Sequence, residues 1–121
     1  MAIKDLATKI NPDITYSSGD TLDTAGYMSA TFILETINTT SVAMEESDNG
    51  TDWTDVAAAN IIKADGVAGA VAGNDVTYTA AGTAVIGYTG KKRYAQATVT
   101  NPATNTAIVA LLGDPLKAPI N

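Results

Sequence analysis

The chain has 121 residues, enough for one domain with a real core, and its net charge of −6 comes without the basic face that nucleic acid requires. It contains no cysteine and no histidine, which removes thiol nucleophiles, disulfides, imidazole acid–base chemistry and nearly every zinc or copper site. No apolar run reaches the length of about 18 residues that a membrane helix needs, and Lys4 and Asp5 stand where a secretory signal would be apolar. The chain is therefore expected to be made in the cytoplasm without a signal peptide, and to bind neither membrane nor nucleic acid.

Ile3, Leu6, Ala7 and Ile10 recur at helical spacing, and Asn11-Pro12 stops the pattern. So short a helix is marginal by itself. Residues 1–12 read as an arm that orders only when docked, or as a short capping helix. From Ile14 the pattern changes to strands and turns. "ITYSS" ends at Gly19-Asp20, and Asp23 to Gly26 reads as a loop. "YMSATFILETI" (27–37) is the clearest strand, with Ala30, Phe32 and Leu34 on one face and Ile33 and Ile37 on the other, as in a central or covered strand. "SVAMEES" (41–47) alternates, placing Val42 and Met44 inward and Ala43 and Glu45 outward.

The stretch "EESDNGTDWTDV" (45–56) holds the one tryptophan and a cluster of acids and amides. As a calcium loop it fails the usual pattern, because Gly50 comes too early and no glutamate closes it. The Asp-box pattern S-x-D-x-G-x-x-W is met at Asp48, Gly50 and Trp53 but not at Glu46. The favoured reading is a structural turn. Asp48 and Asn49 bond nearby backbone amides, Gly50 takes positive φ, and Trp53 lays its ring over the next strand.

"VAAANIIKADG" (56–66) mixes helix and strand signals, and "GVAGAVAG" (66–73) has enough glycine to read as a loop. "DVTYTA" (75–80), "TAVIGY" (83–88), "RYAQATVT" (93–100) and "TAIVALLG" (106–113) read as strands, with "YTGKKR" and "TNPATNT" as hairpin connections. Pro115 and Pro119 mark a segment that leaves the sheet. The expectation is an all-β fold, a compact sandwich or barrel of the jelly-roll or immunoglobulin-like kind, with about seven strands. Residues 1–12 form the arm, 13–113 the sandwich and 114–121 an extended tail.

Candidate catalytic groups are few. Glu45 and Glu46 are adjacent on a strand and point to opposite faces, so they cannot flank one bond. Glu35 and Glu45 are possible cross-strand neighbours, with a solvated face as the default reading. No S-x-x-K is present for a serine–lysine nucleophile. No enzyme and no cofactor is expected. Lys91-Lys92-Arg93 is the one basic cluster, and it reads either as a solvated turn or as a contact for a negative partner surface.

In order, "SDNGTDWTDV", "AGTAVIGYTGKKRYAQATVT" and "AIVALLGDPLKAPIN" resemble small virion structural proteins of tailed bacteriophages. Those chains often read S-D-x-G-x-x-[FW]-x-x-V, then Y-x-G-x-K-R-Y, and close on a strand, L-G-x-P and a final proline. The likeness runs from Ser41 to the C-terminus. It implies a capsid decoration (cement) protein on the outer capsid surface, made in the host cytoplasm, whose partners are the major capsid protein and neighbouring copies of itself. Candidate contacts are Ile3, Leu6, Ile10, Lys91, Lys92, Arg93, Leu116 and Ile120. The alternatives are another head or tail structural protein, or a carbohydrate- or receptor-binding sandwich using Trp53.

Overall fold

The computed structural model describes residues 13–100 and 107–115. The expected helix or arm with Ile3, Leu6 and Ile10, the connection 101–106, and Leu116 and Ile120 lie outside the described residues. Eleven strands follow one another: β1 (Asp13–Tyr16), β2 (Leu22–Asp23), β3 (Tyr27–Ile37), β4 (Ser41–Ser47), β5 (Thr54–Asp55) and β6 (Ile61–Lys63), then β7 (Gly69–Ala72), β8 (Asp75–Tyr78), β9 (Gly82–Tyr88), β10 (Tyr94–Thr100) and β11 (Ile108–Pro115). One 3₁₀ turn, Ala58–Asn60, precedes β6.

The strands form two antiparallel sheets. Sheet A has the order β1-β11-β3-β9-β6, and sheet B the order β2-β10-β4-β8-β7, with β5 also pairing β4. The chain is an all-β sandwich, as its alternating pattern implied, although the strands exceed the seven expected. The extra ones are short edge pieces: β2, β5, β6 and β7 have two to four residues each. β7 occupies part of the glycine-rich stretch expected to be a loop. Small side chains and backbone pairing with β8, Gly69 to Tyr78 through Ala72 to Asp75, suffice for an edge strand.

Two expected hairpins are absent for a common reason. β9 belongs to sheet A and β10 to sheet B, so "YTGKKR" turns a corner between sheets. β10 and β11 likewise lie in different sheets. A tight polar connection looks the same in sequence whether the next strand pairs with its predecessor or packs across the core from it. β11 also continues through Pro115, which pairs with Tyr27, so the strand runs past the expected boundary at 113.

The core lies between the sheets. From sheet A come Phe32, Leu34, Ile86, Tyr88, Ala84 and Ala110; from sheet B come Val42, Met44, Val76, Tyr78, Ala95 and Ala97. Facing alanines let the sheets approach, and the large rings fill the remaining volume. Tyr16 meets Phe32 edge-on at 5.0 Å between centroids. On β3 the expected alternation holds for Ala30, Phe32 and Leu34, and Ile33 faces outward. Ile37 does not share that outer face. A register shift between Leu34 and Ile37 returns it to the core, where it is buried.

Candidate docking site at the Thr89–Arg93 corner

The corner between β9 and β10 is tied to the turn before β3. The buried Thr24 donates its backbone N–H to the Arg93 carbonyl at 2.8 Å, and its hydroxyl donates to the same oxygen at 2.5 Å. Tyr27 N–H donates to the Thr24 carbonyl at 2.9 Å. The Arg93 guanidinium grips Asp23 with two parallel bonds, Nε to Oδ1 at 3.0 Å and Nη2 to Oδ2 at 2.9 Å, and lies 5.0 Å from the Tyr94 ring centroid. That fork holds the Asp23 carboxyl below the usual carboxylate range. Lys92 Nζ donates to Asp48 Oδ2 at 2.8 Å, which raises the lysine's pKa.

The three adjacent cations of the sequence are therefore not equivalent. Lys92 and Arg93 are committed to acids of their own chain, whereas Lys91 is exposed and makes no hydrogen bond or ion pair among the described residues. The partner acids Asp23 and Asp48 lie far away in sequence, so no local signal distinguishes the three. Between corner and turn runs a groove of about 500 Å³, lined by Tyr27, Met28, Gly90 and Lys91 among others. Met28 is 60% exposed beside it, one of two large apolar side chains so exposed among the described residues.

The Asp48 turn is structural, but its roles are distributed differently from the sequence reading. Asn49 Oδ1 accepts the backbone N–H groups of Thr51 and Asp52, both at 2.8 Å. The buried Ser47 hydroxyl accepts those of Asn49 and Gly50 at 3.2 and 2.9 Å. Gly50 takes φ +79°, as expected at that turn. Asp48 bonds no backbone amide there and reaches Lys92 instead. Asp52 accepts from the Asn49 side-chain amide and Asp55 from Asn74, so these acids face separate partners. Trp53 is half-buried and outside the core cluster, and among the described residues no ring pair forms with it. Glu35 and Glu45 are not neighbours, because β3 and β4 lie in different sheets.

A buried polar centre escaped the sequence reading. Asp65, with its side chain 4% exposed, accepts from Lys63 Nζ at 2.7 Å, the Tyr78 hydroxyl at 2.7 Å, Val85 N–H at 2.7 Å and Val67 N–H at 3.2 Å. Lys63 also donates to the Val67 carbonyl and lies 5.1 Å from the Tyr78 ring centroid. Burial pushes the Asp65 carboxyl up, but the lysine, the two backbone N–H groups and the phenol together hold it below its ordinary range. This arrangement clamps β6, β8 and β9 together. The sequence clue was "KADG", where Asp before Gly looks like an ordinary turn residue.

The class defined by these observations is a small antiparallel β-sandwich with internally paired charges at the Thr89–Arg93 corner and an open groove beside it. No family model matches the chain, and no curated protein or solved structure matches it either.

Proposed function

We propose that this chain is a structural protein of a bacteriophage virion, a capsid decoration protein that binds the lattice of the major capsid protein and stabilises the head. The observation that carries the reading is the gathering of contact features at one end of the sandwich. Exposed Met28, the uncommitted Lys91 and the 500 Å³ groove meet there, and β11 ends there with Pro115 paired to Tyr27. Leu116 and Ile120 follow Pro115 in the sequence. An apolar centre flanked by Lys91, which has no partner among the described residues, suits a partner surface that is apolar with an acidic rim. The order of motifs from Ser41 onward supplies the virion context.

Quantitative mass spectrometry of DNA-filled particles from the encoding strain tests this reading. The chain should occur in fixed ratio to the major capsid protein. Particles that lack it, purified from a lysate rich in it, would reject the proposal.

A further inference from the structure

The two outer faces of the sandwich differ in chemistry. Sheet B presents Ala43, Glu45, Asp75, Thr77, Gln96 and Thr98, the polar face expected of a sheet that meets water. Sheet A presents Ile33, Val85, Val109, Leu111 and Ile62 at the corresponding outward positions. The registers place these in two adjoining rows. One row runs Val109–Ile33–Val85, and the next runs Leu111–Thr31–Gly87–Ile62. Ile62 is 50% exposed. Gly87 leaves a depression of about 290 Å³ in the second row, bordered by Ser29, Thr31, Ile62 and Val85.

We infer that this face is the seat of the chain's own N-terminal segment, residues 1–12. Its place in the chain points there. Asp13, the first residue of β1, pairs with Leu111, at the edge of the second row of the apolar patch. A chain entering at that edge needs only the Asn11-Pro12 turn to fold back over the patch. Dimensions agree as well. From β11 to β6 is three strand spacings, about 14 Å, and a helix rises about 10 Å from Ile3 to Ile10. At helical spacing Ile3, Leu6 and Ile10 would share one side of that segment, and Lys4, Asp5 and Lys9 would fall outside it. So short a tether keeps the segment at an effective concentration of about millimolar or above, which favours its own domain over a second copy. The seat gives these three side chains a partner inside the domain, in place of the capsid contact expected of them. It is independent of the virion reading.

The absence of cysteine allows a clean test, because an engineered pair reports only on itself. Leu6→Cys and Thr31→Cys are introduced together into the full chain, Thr31 being an outward residue of the central strand β3. In dilute protein with a glutathione redox buffer, the pair should close within one chain. Adding Ile3→Ser and Ile10→Ser should slow closure about tenfold or more, since only the tether then holds the segment near. Closure at an unchanged rate in the serine variant would show a passive tether and overturn the inference. Closure only between chains would also overturn it, making a second copy the occupant.

Discussion

The Tyr88 hydroxyl on β9 donates to Glu46 Oε1 on β4 at 2.8 Å, joining the two sheets through a bond whose tyrosine is fully buried. Gly90 is packed against both partners. A Cβ at that position would stand 2.5 Å from the Tyr88 ring and 2.6 Å from the Glu46 carboxylate. Gly90→Ala is therefore expected to destabilise by about 1–3 kcal/mol, the usual range for overpacking. Denaturant melts would show it, and an unchanged midpoint would contradict the tightness of this contact.

Asp65 should be the least replaceable acid of the described residues. Asp65→Ala strands the Lys63 ammonium, the Tyr78 hydroxyl and the Val85 N–H in a nearly dry site, at a cost of about 3–5 kcal/mol. The folded-state pKa of Asp65 lies below its unfolded value near 3.8. Its contribution is thus complete above that value and lost as the pH falls through the lower, folded one. Acid melts should show wild type losing stability below about pH 4, with the Asp65→Asn variant markedly less sensitive there.

At the alkaline end the tyrosines dominate. Burial raises the pKa of Tyr16 to about 12, and burial with a neighbouring carboxylate raises those of Tyr78 and Tyr88 as well. Raised folded pKa values mean that stability is fully present below the unfolded value near 10 and lost as the pH rises beyond it. Tyrosinate absorbance for these three should therefore appear together with the loss of near-ultraviolet circular dichroism. Ionisation of Tyr16, Tyr78 and Tyr88 in an intact fold would be the contrary result.

The corner separates two kinds of lysine. If the chain docks on capsids as proposed, Lys91→Glu should weaken attachment to heads and reduce its sensitivity to salt while leaving the melting temperature unchanged, because Lys91 has no partner within the described residues. Lys92→Glu instead sets two negative charges side by side at Asp48, and should loosen the turn without acting through the partner. Binding to purified heads across a salt series distinguishes them. Equal occupancy by wild type and the Lys91 variant would remove the corner from the docking surface.

Trp53, outside the core, should cost less than a core ring when removed. Trp53→Ala is expected to cost about 1–2 kcal/mol, within the range of ordinary substitutions. Asn49→Ala should cost at least as much, because it leaves the Thr51 and Asp52 N–H groups without their acceptor. The reverse ranking in chemical denaturation would return the tryptophan to a central role.

The period of two in "SVAMEES", with Val42 and Met44 inward, and the recurrence of Phe32 and Leu34 on one side of β3 determined the strands and the buried face, since such a period is a local property that short stretches display directly. The Ser47–Asp52 turn was legible for the same reason: Asn49 accepts backbone N–H groups two and three residues on, and Gly50 takes the positive φ. Apolar residues on both faces of the 27–37 stretch, Ile33 among them, marked a central or covered strand, and β3 is central in sheet A. Tertiary structure alone decided which strands share a sheet, turning "YTGKKR" from a hairpin into a corner. It decided that Ile37 turns inward after a bulge, and that Lys92 and Arg93 are taken by Asp48 and Asp23 while Lys91 has no partner among the described residues. It alone made Asp65 a buried centre, by bringing Tyr78 and Val85 to it. Charge partners and sheet membership depend on which distant segments the packing of the core brings within a few ångströms, and that information is not carried by neighbours along the chain.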